Sequence, residues 1–175
     1  MARRDEQGFV EFVDAYEGRL RRAAFLITGD WALADDVTQE ALVRMYVALP
    51  RLGQVESLFG YARRTVVNVA IDAARRRGTR ERYEAKESVP PPLPDVAGAH
   101  ADRTAVMAAL GGLAPRQRAV VVLRYFEDLS VAQTAEVLGC SQGTVKSQTA
   151  RGLDALRGAL VGAGWHHEVE LEVSE

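Results

Sequence analysis

The stretch that most constrains this chain runs from Leu129 to Ser147. It reads as two short helices around a tight turn. Ser130 is a good cap for the first, because its hydroxyl accepts a hydrogen bond from an otherwise orphaned amide. Val131, Thr134, Ala135 and Leu138 then share one face at helical spacing, and Ala135 is small enough for a second helix to cross closely. Gly139 stops the helix at low cost in the left-handed region. Ser141 caps the next, where Val145, Thr149, Leu153, Leu156 and Leu160 point inward. Thr144, Lys146, Ser147, Gln148 and Arg151 are left facing outward. A capped helix presenting small polar and basic groups suits the major groove of DNA. An ordinary helical hairpin with a solvated face is the competing reading. The Gly-x-Ser turn, Ala135 and Val145 together favour the helix-turn-helix.

A net charge of −2 is unusual for a chain that meets DNA, so the distribution carries more information than the total. Residues 1–60 hold seven Lys/Arg against ten Asp/Glu, and residues 61–86 hold eight against three. Residues 104–164 hold six against four, and residues 165–175 hold four Glu and no cation. An acidic front, two basic regions and an acidic tail predict several partners. Phosphate neutralisation supplies most non-specific DNA affinity, so binding by this chain alone is expected to be weak and to depend on a larger partner. No apolar run reaches the length of a membrane span, and no export pattern opens the chain. Cys140 is the single cysteine, which excludes an internal disulfide and fits a reducing cytoplasm.

Helical periodicity continues through most of the remainder. Residues 8–28 carry Phe9, Phe12, Val13, Tyr16, Leu20, Ala24 and Ile27 at three- and four-residue steps, stopped by Gly29. Asp30 caps a second helix over 31–49, which buries Val37, Ala41, Met45 and Ala48 and ends at Pro50. Its other side presents Asp35, Asp36, Gln39, Glu40 and Val43. An acid-base or metal reading of these carboxylates finds no histidine or inward-facing acid to complete it, and a partner-binding face fits better.

Ser57 is positioned to cap a third helix over 58–77. Leu58, Ala62, Val66, Val69 and Ala73 form its core stripe, while Arg64, Asn68, Arg75 and Arg76 lie elsewhere on it. The Arg75–Arg77 run reads either as a nucleic-acid surface or as complement to the helix dipole. Between 78 and 103 the pattern dissolves around Gly78, three consecutive prolines, Pro94 and Gly98, which predicts a linker between two helical domains. Signals resume near 104. Gly111-Gly112 interrupts them, and Pro115 suits the first turn of the next helix, where Val120, Val121, Leu123 and Tyr125 face inward in part. The last helix reaches about 161. The tail after it alternates apolar and acidic residues, and its adjacent His166 and His167 make a poor metal pair.

These segments resemble the extracytoplasmic-function sigma factors of bacterial RNA polymerase, of the actinobacterial SigE-like type. Two blocks carry the resemblance: Asp36 through Arg44 with Tyr61 through Asp72 and the arginine run, similar to region two, and Leu113 through Arg157, similar to region four. The resemblance implies an all-α chain of two small helical domains. Residues 1–77 would form region two, 78–103 a flexible linker, 104–162 the helix-turn-helix of region four, and 163–175 an acidic tail.

It further implies a transcription initiation factor with no catalytic residue, cofactor or metal, since the nucleotide chemistry belongs to the polymerase. Asp35, Asp36, Gln39, Glu40 and Val43 would dock on the clamp coiled coil of the largest subunit, with the flap as a second contact. Leu52, Arg64, Asn68, Arg75 and Arg76 would engage the −10 element and its unstacked bases. Arg124, Gly143, Thr144, Lys146, Ser147, Gln148 and Arg151 would read the −35 element. Gln148 departs from the arginine common in relatives and offers an amide to adenine or phosphate, and Gln133 stands where glutamate is frequent. Promoter DNA and core polymerase are the implied partners, and an anti-sigma factor is a further candidate. The location is the cytoplasm, at the nucleoid through polymerase. A conventional helix-turn-helix regulator, with 1–77 as a sensing or dimerisation domain, would have no need of the Asp36–Arg44 block or of Asn68 and its arginines.

Overall fold

The computed structural model describes residues 2–51, 58–84 and 99–164, and these are helical almost throughout. Seven α-helices follow one another among the described residues: α1 (Ala2–Thr28), α2 (Trp31–Ala48), α3 (Leu58–Glu84), α4 (Ala99–Gly111), α5 (Pro115–Val121), α6 (Val131–Leu138) and α7 (Gln142–Gly162). Local chemistry sets the joints. Gly29 takes a φ of 76° and its amide bonds back to Phe25 at 2.7 Å, which ends α1. One residue on, the Asp30 carboxylate accepts from the Leu33 amide at 2.9 Å and starts α2. Pro115 occupies the first turn of α5, as expected.

The α1–α3 half is a three-helix bundle closed by Phe12, Leu20, Ala24 and Ile27 of α1, Ala34, Val37, Ala41 and Met45 of α2, and Ala62, Val66, Val69 and Ala73 of α3. Ala48 and Leu58 lie at the rim rather than in this core, and Leu58 is 37% exposed. Helix α3 also buries Val67, Ala70 and Ile71, so its apolar surface is wider than one stripe. The width is explained by its neighbours: α3 packs on α1 and α2 and also on α5 and α6. One continuous core therefore runs from Phe12 to Val145 across both halves of the chain.

A charged clasp sits at the joint. The Glu127 side chain, only 2% exposed, pairs with Arg19 at 3.0 Å and with Arg63 at 3.9 Å. Both guanidiniums also lie over the Phe59 ring, at 4.8 and 5.3 Å. Burial pulls the Arg63 guanidinium below its ordinary value, and the Glu127 charge opposes that.

Three sequence expectations are corrected. The third helix does not stop at 77 but continues to Glu84: a side chain at Gly78 would face open space, and Arg77 pairs with Glu81 across it at 2.6 Å. Together with a fourth helix that begins at Ala99, this places 78–84 and 99–103 of the expected 78–103 linker in helices; residues 85–98 lie outside the described residues. Ser57, Leu52 and the 165–175 tail also lie outside them. Third, the helix after Pro115 does not stay α-helical. Val122–Phe126 form a π-turn, with the Glu127 amide bonded to the Val122 carbonyl at 3.0 Å. The wider turn brings Leu123 and Glu127 inward and leaves Tyr125, expected to face partly inward, 41% exposed beside Phe126.

Candidate nucleic-acid interface

The helix-turn-helix is built as its residues suggest. Ser130 and Gln133 form a reciprocal capping box: the Gln133 amide donates to the serine hydroxyl at 3.1 Å, and the Ser130 amide donates to the glutamine side chain at 2.9 Å. Gly139 is left-handed at φ 59°, and the Cys140 amide closes the turn on the Ala135 carbonyl. Ser141 accepts from the Thr144 amide at 3.1 Å and fixes the start of α7. Thr134, Ala135, Leu138, Val145, Thr149 and Leu153 are buried. Gly143, Lys146, Ser147 and Arg151 are exposed, with Thr144 and Gln148 half-buried beside them. Lys146 and Arg151 make no ion pair among the described residues, so both cations are available to phosphate. Arg124 differs from the expectation: it turns into the loop after the π-turn and donates to the Leu129 carbonyl, so its first task is holding that loop.

On α3, Arg64, Asn68, Arg75 and Arg76 are all exposed. Positions 64, 68 and 75 fall on one side of the helix, eleven residues being close to three turns. Of the arginine run, only Arg77 forms ion pairs among the described residues, with Asp30 at 3.0 Å and with Glu81. Those carboxylates raise its pKa, Glu81 foremost. The Leu33 amide and Arg77 in turn hold Asp30 below the usual carboxylate range. Arg64 lies at the seam: its Nη2 is 3.9 Å from where a side chain on Gly139 would begin. The basic face of α3 and the turn of the helix-turn-helix therefore adjoin.

The α2 set divides. Asp36 and Val43 point to solvent, Val43 at 61% exposure, and Glu40, also exposed, pairs with Arg44 one turn on at 2.6 Å. Asp35 and Gln39 lean onto α1, where Asp35 is gripped by Arg21 and Gln39 donates to Glu17 at 2.9 Å. The Arg21 hydrogen bonds hold Asp35 below the usual carboxylate range. Arg21 in turn lies 4.9 Å from the Trp31 ring, which is stacked on Phe25. Two exposed residues extend this surface and were missed by the sequence reading, Tyr46 and Val47; their signal was apolar character away from the core stripe. Among the described residues no group of His, Cys, Asp or Glu is arranged to hold a metal ion.

Comparison with known proteins accounts for this pairing of surfaces. The profile of Sigma-70 region 2 matches residues 12–80, and that of Sigma-70 region 4 matches residues 103–156. The RNA polymerase sigma-E factor of Streptomyces coelicolor is 38% identical over 153 residues, covering 87% of this chain and 86% of that protein. Its counterpart in Streptomyces avermitilis is 37% identical over 157 residues, covering 90% and 87%. Among solved structures, the sigma factor RpoE of Bartonella quintana, in complex with the anti-sigma factor NepR, superposes with a TM-score of 0.69. It shares 21% identity and the match covers 89% of this chain and 98% of that one. CnrH, in complex with the cytosolic domain of CnrY, gives 0.65 at 24% identity, covering 91% of each chain.

The chain belongs to the Sigma-70 family, and so is an RNA polymerase sigma factor that directs promoter-specific transcription. Within that family it groups with the actinobacterial extracytoplasmic-function factors of the sigma-E type.

Proposed function

We propose that the three exposed surfaces divide the work of initiation. Asp36, Glu40 and Val43, flanked by Asp35 and Gln39, dock on the clamp coiled coil of the largest polymerase subunit, and the region-four half meets the flap. Leu52, Arg64, Asn68, Arg75 and Arg76 engage the −10 element and its opened strand. Gly143, Thr144, Lys146, Ser147, Gln148 and Arg151, with Arg124 behind them, read the −35 element. Domain limits near 77–84 and 99–104 follow, and the action is cytoplasmic, at the nucleoid through polymerase. No helix among the described residues is long and apolar enough to cross a membrane. Nucleotide addition belongs to the polymerase, so this chain needs no catalytic group or cofactor of its own. An anti-sigma factor is a fitting regulator, given the NepR complex of the Bartonella protein.

The observation carrying this reading is the presence, in one chain, of an acidic-apolar strip on α2, a basic strip with Asn68 on α3 and a capped helix-turn-helix. A helix N-terminus with neutral and basic side chains positions itself on phosphates and base edges. The α2 strip has no such use and calls for a protein partner. Reversing charge at Asp36 and Glu40 should weaken binding to core polymerase at least tenfold, with the thermal unfolding midpoint unchanged. Equal affinity of the double variant and the parent, titrated against core enzyme, would overturn the assignment.

A further inference from the structure

A cavity of about 1010 Å³ opens where the two halves meet. Its walls come from the end of α1, the C-terminal part of α3, α4 and the start of α5. Arg118 stands in one wall at 6% exposure. Its Nε donates to the Leu26 carbonyl at the C-terminus of α1, but its Nη2 is buried and has no hydrogen-bond partner. A buried guanidinium N–H without an acceptor is among the costlier groups a fold can retain. Burial, with Arg77 as a second cause, draws the Arg118 pKa down to about 10. Gly29 leaves room for it: a Cβ there would sit 3.1 Å from Nη2.

The surrounding charges do not compensate. Arg75 and Arg77 line the same cavity, and among the described residues the one carboxylate lining it, Glu81, is taken by Arg77. Arg75 has no carboxylate partner among the described residues. Among the described residues, Arg75 and Arg118 therefore line the space without a carboxylate partner, and Phe25 and Met107 add an apolar side. A phosphate group carries nearly two negative charges and accepts bidentate hydrogen bonds from the planar fork of arginine. The volume exceeds what a bare phosphate needs and falls in the range of small-molecule pockets.

We propose that this joint is a binding site for a phosphorylated small molecule of nucleotide size, held by Arg118 and Arg75. Its phosphate pairs with Arg75 and with the Arg118 guanidinium where that group lines the cavity, and its remaining body lies against Phe25 and Met107. Because the walls belong to both halves, such a ligand binds only while they are together and stabilises that arrangement by linkage.

The test is calorimetric titration of the purified full chain, without polymerase or DNA, using ATP, GTP and adenosine as probes. At least one nucleotide should bind with a dissociation constant below about 100 μM, at least tenfold tighter than adenosine, and raise the thermal midpoint. Arg118→Gln should weaken it tenfold or more. Arg75→Gln, a change at an exposed position that leaves the core intact, should weaken it several-fold and keeps the test decisive if Arg118→Gln fails to fold. Arg157→Gln, on the far part of α7, should bind as the parent does. Absence of nucleotide binding below 1 mM, adenosine binding as well as ATP, or full affinity in both the Arg118 and Arg75 variants would overturn the site. Any of these results leaves the polymerase-docking assignment standing, because no polymerase enters the measurement.

Discussion

Replacing Glu127 by Gln tests how the two halves are held together. The carboxylate is almost wholly buried, with Arg19 at 3.0 Å and Arg63 at 3.9 Å. At an effective dielectric near 20, Coulomb's law assigns these pairs about 5.5 and about 4 kcal/mol of gross attraction. Desolvating the carboxylate returns several kcal/mol of that. Removing one partner of a fully buried pair costs about 3–5 kcal/mol. Arg19 remains 46% exposed and rehydrates once released, which lowers the expected loss to about 2 kcal/mol. With a urea m-value near 2 kcal/mol/M, the unfolding midpoint should fall by about 1 M at unchanged slope.

The source of the loss is checked by a double-mutant cycle. In an Arg19→Met background the same substitution should cost about 1 kcal/mol less, because the stronger pair is already gone. A midpoint within about 0.2 M of the parent, or an identical loss in both backgrounds, would refute the clasp.

Two further outcomes follow from packing and charge. Gly152 is buried on α7, and a Cβ there would lie 2.8 Å from Val121 Cγ2. Gly152→Ala should destabilise by about 1 kcal/mol in urea, because overpacking outweighs the gain in helix propensity; a more stable variant would contradict the close crossing of α5 and α7. Asp30 and Asp35 should titrate below the ordinary aspartate value of about 3.9 when followed by carbon-detected NMR. Their depressed folded pKa values mean that the stabilisation is present above the unfolded pKa and lost as pH falls through the folded one. Arg77→Gln should move Asp30 upward, and midpoints at or above the unfolded value would exclude these contacts.

Local chemistry made much of this molecule legible in advance. Ser130, Gly139 and Ser141 declare the helix-turn-helix because each satisfies a backbone requirement within three or four residues of itself. Asp30 and Pro115 do the same for α2 and α5. The exposed strips of α2 and α3 were visible as gaps in the apolar periodicity. Gly78 misled, because propensity treats it as a stop whereas a pair of charges one turn apart carries the helix past it. The Glu127 clasp was hidden, since its Arg19 partner is 108 residues away. A separation of 92 residues from Leu26 likewise concealed Arg118, which in sequence is one more basic residue near the start of a helix. The π-turn has no local signature in Val122–Phe126, and it is required by what those residues must reach.

The shared core also sets a limit on reach. A compact chain of 175 residues has a radius of gyration of about 16 Å and is roughly 40 Å across. The −10 and −35 elements, by their names, are separated by about 25 base pairs, roughly 85 Å of duplex at 3.4 Å per step. With its halves joined, the protein is about half as long as the interval that the proposed −10 and −35 contacts would have it bridge. The 14 residues from 85 to 98, drawn out, add at most about 50 Å between the halves. That contour length makes up the difference with little to spare. Whatever free energy closes the halves in solution is therefore subtracted from the affinity with which one molecule grips both promoter elements.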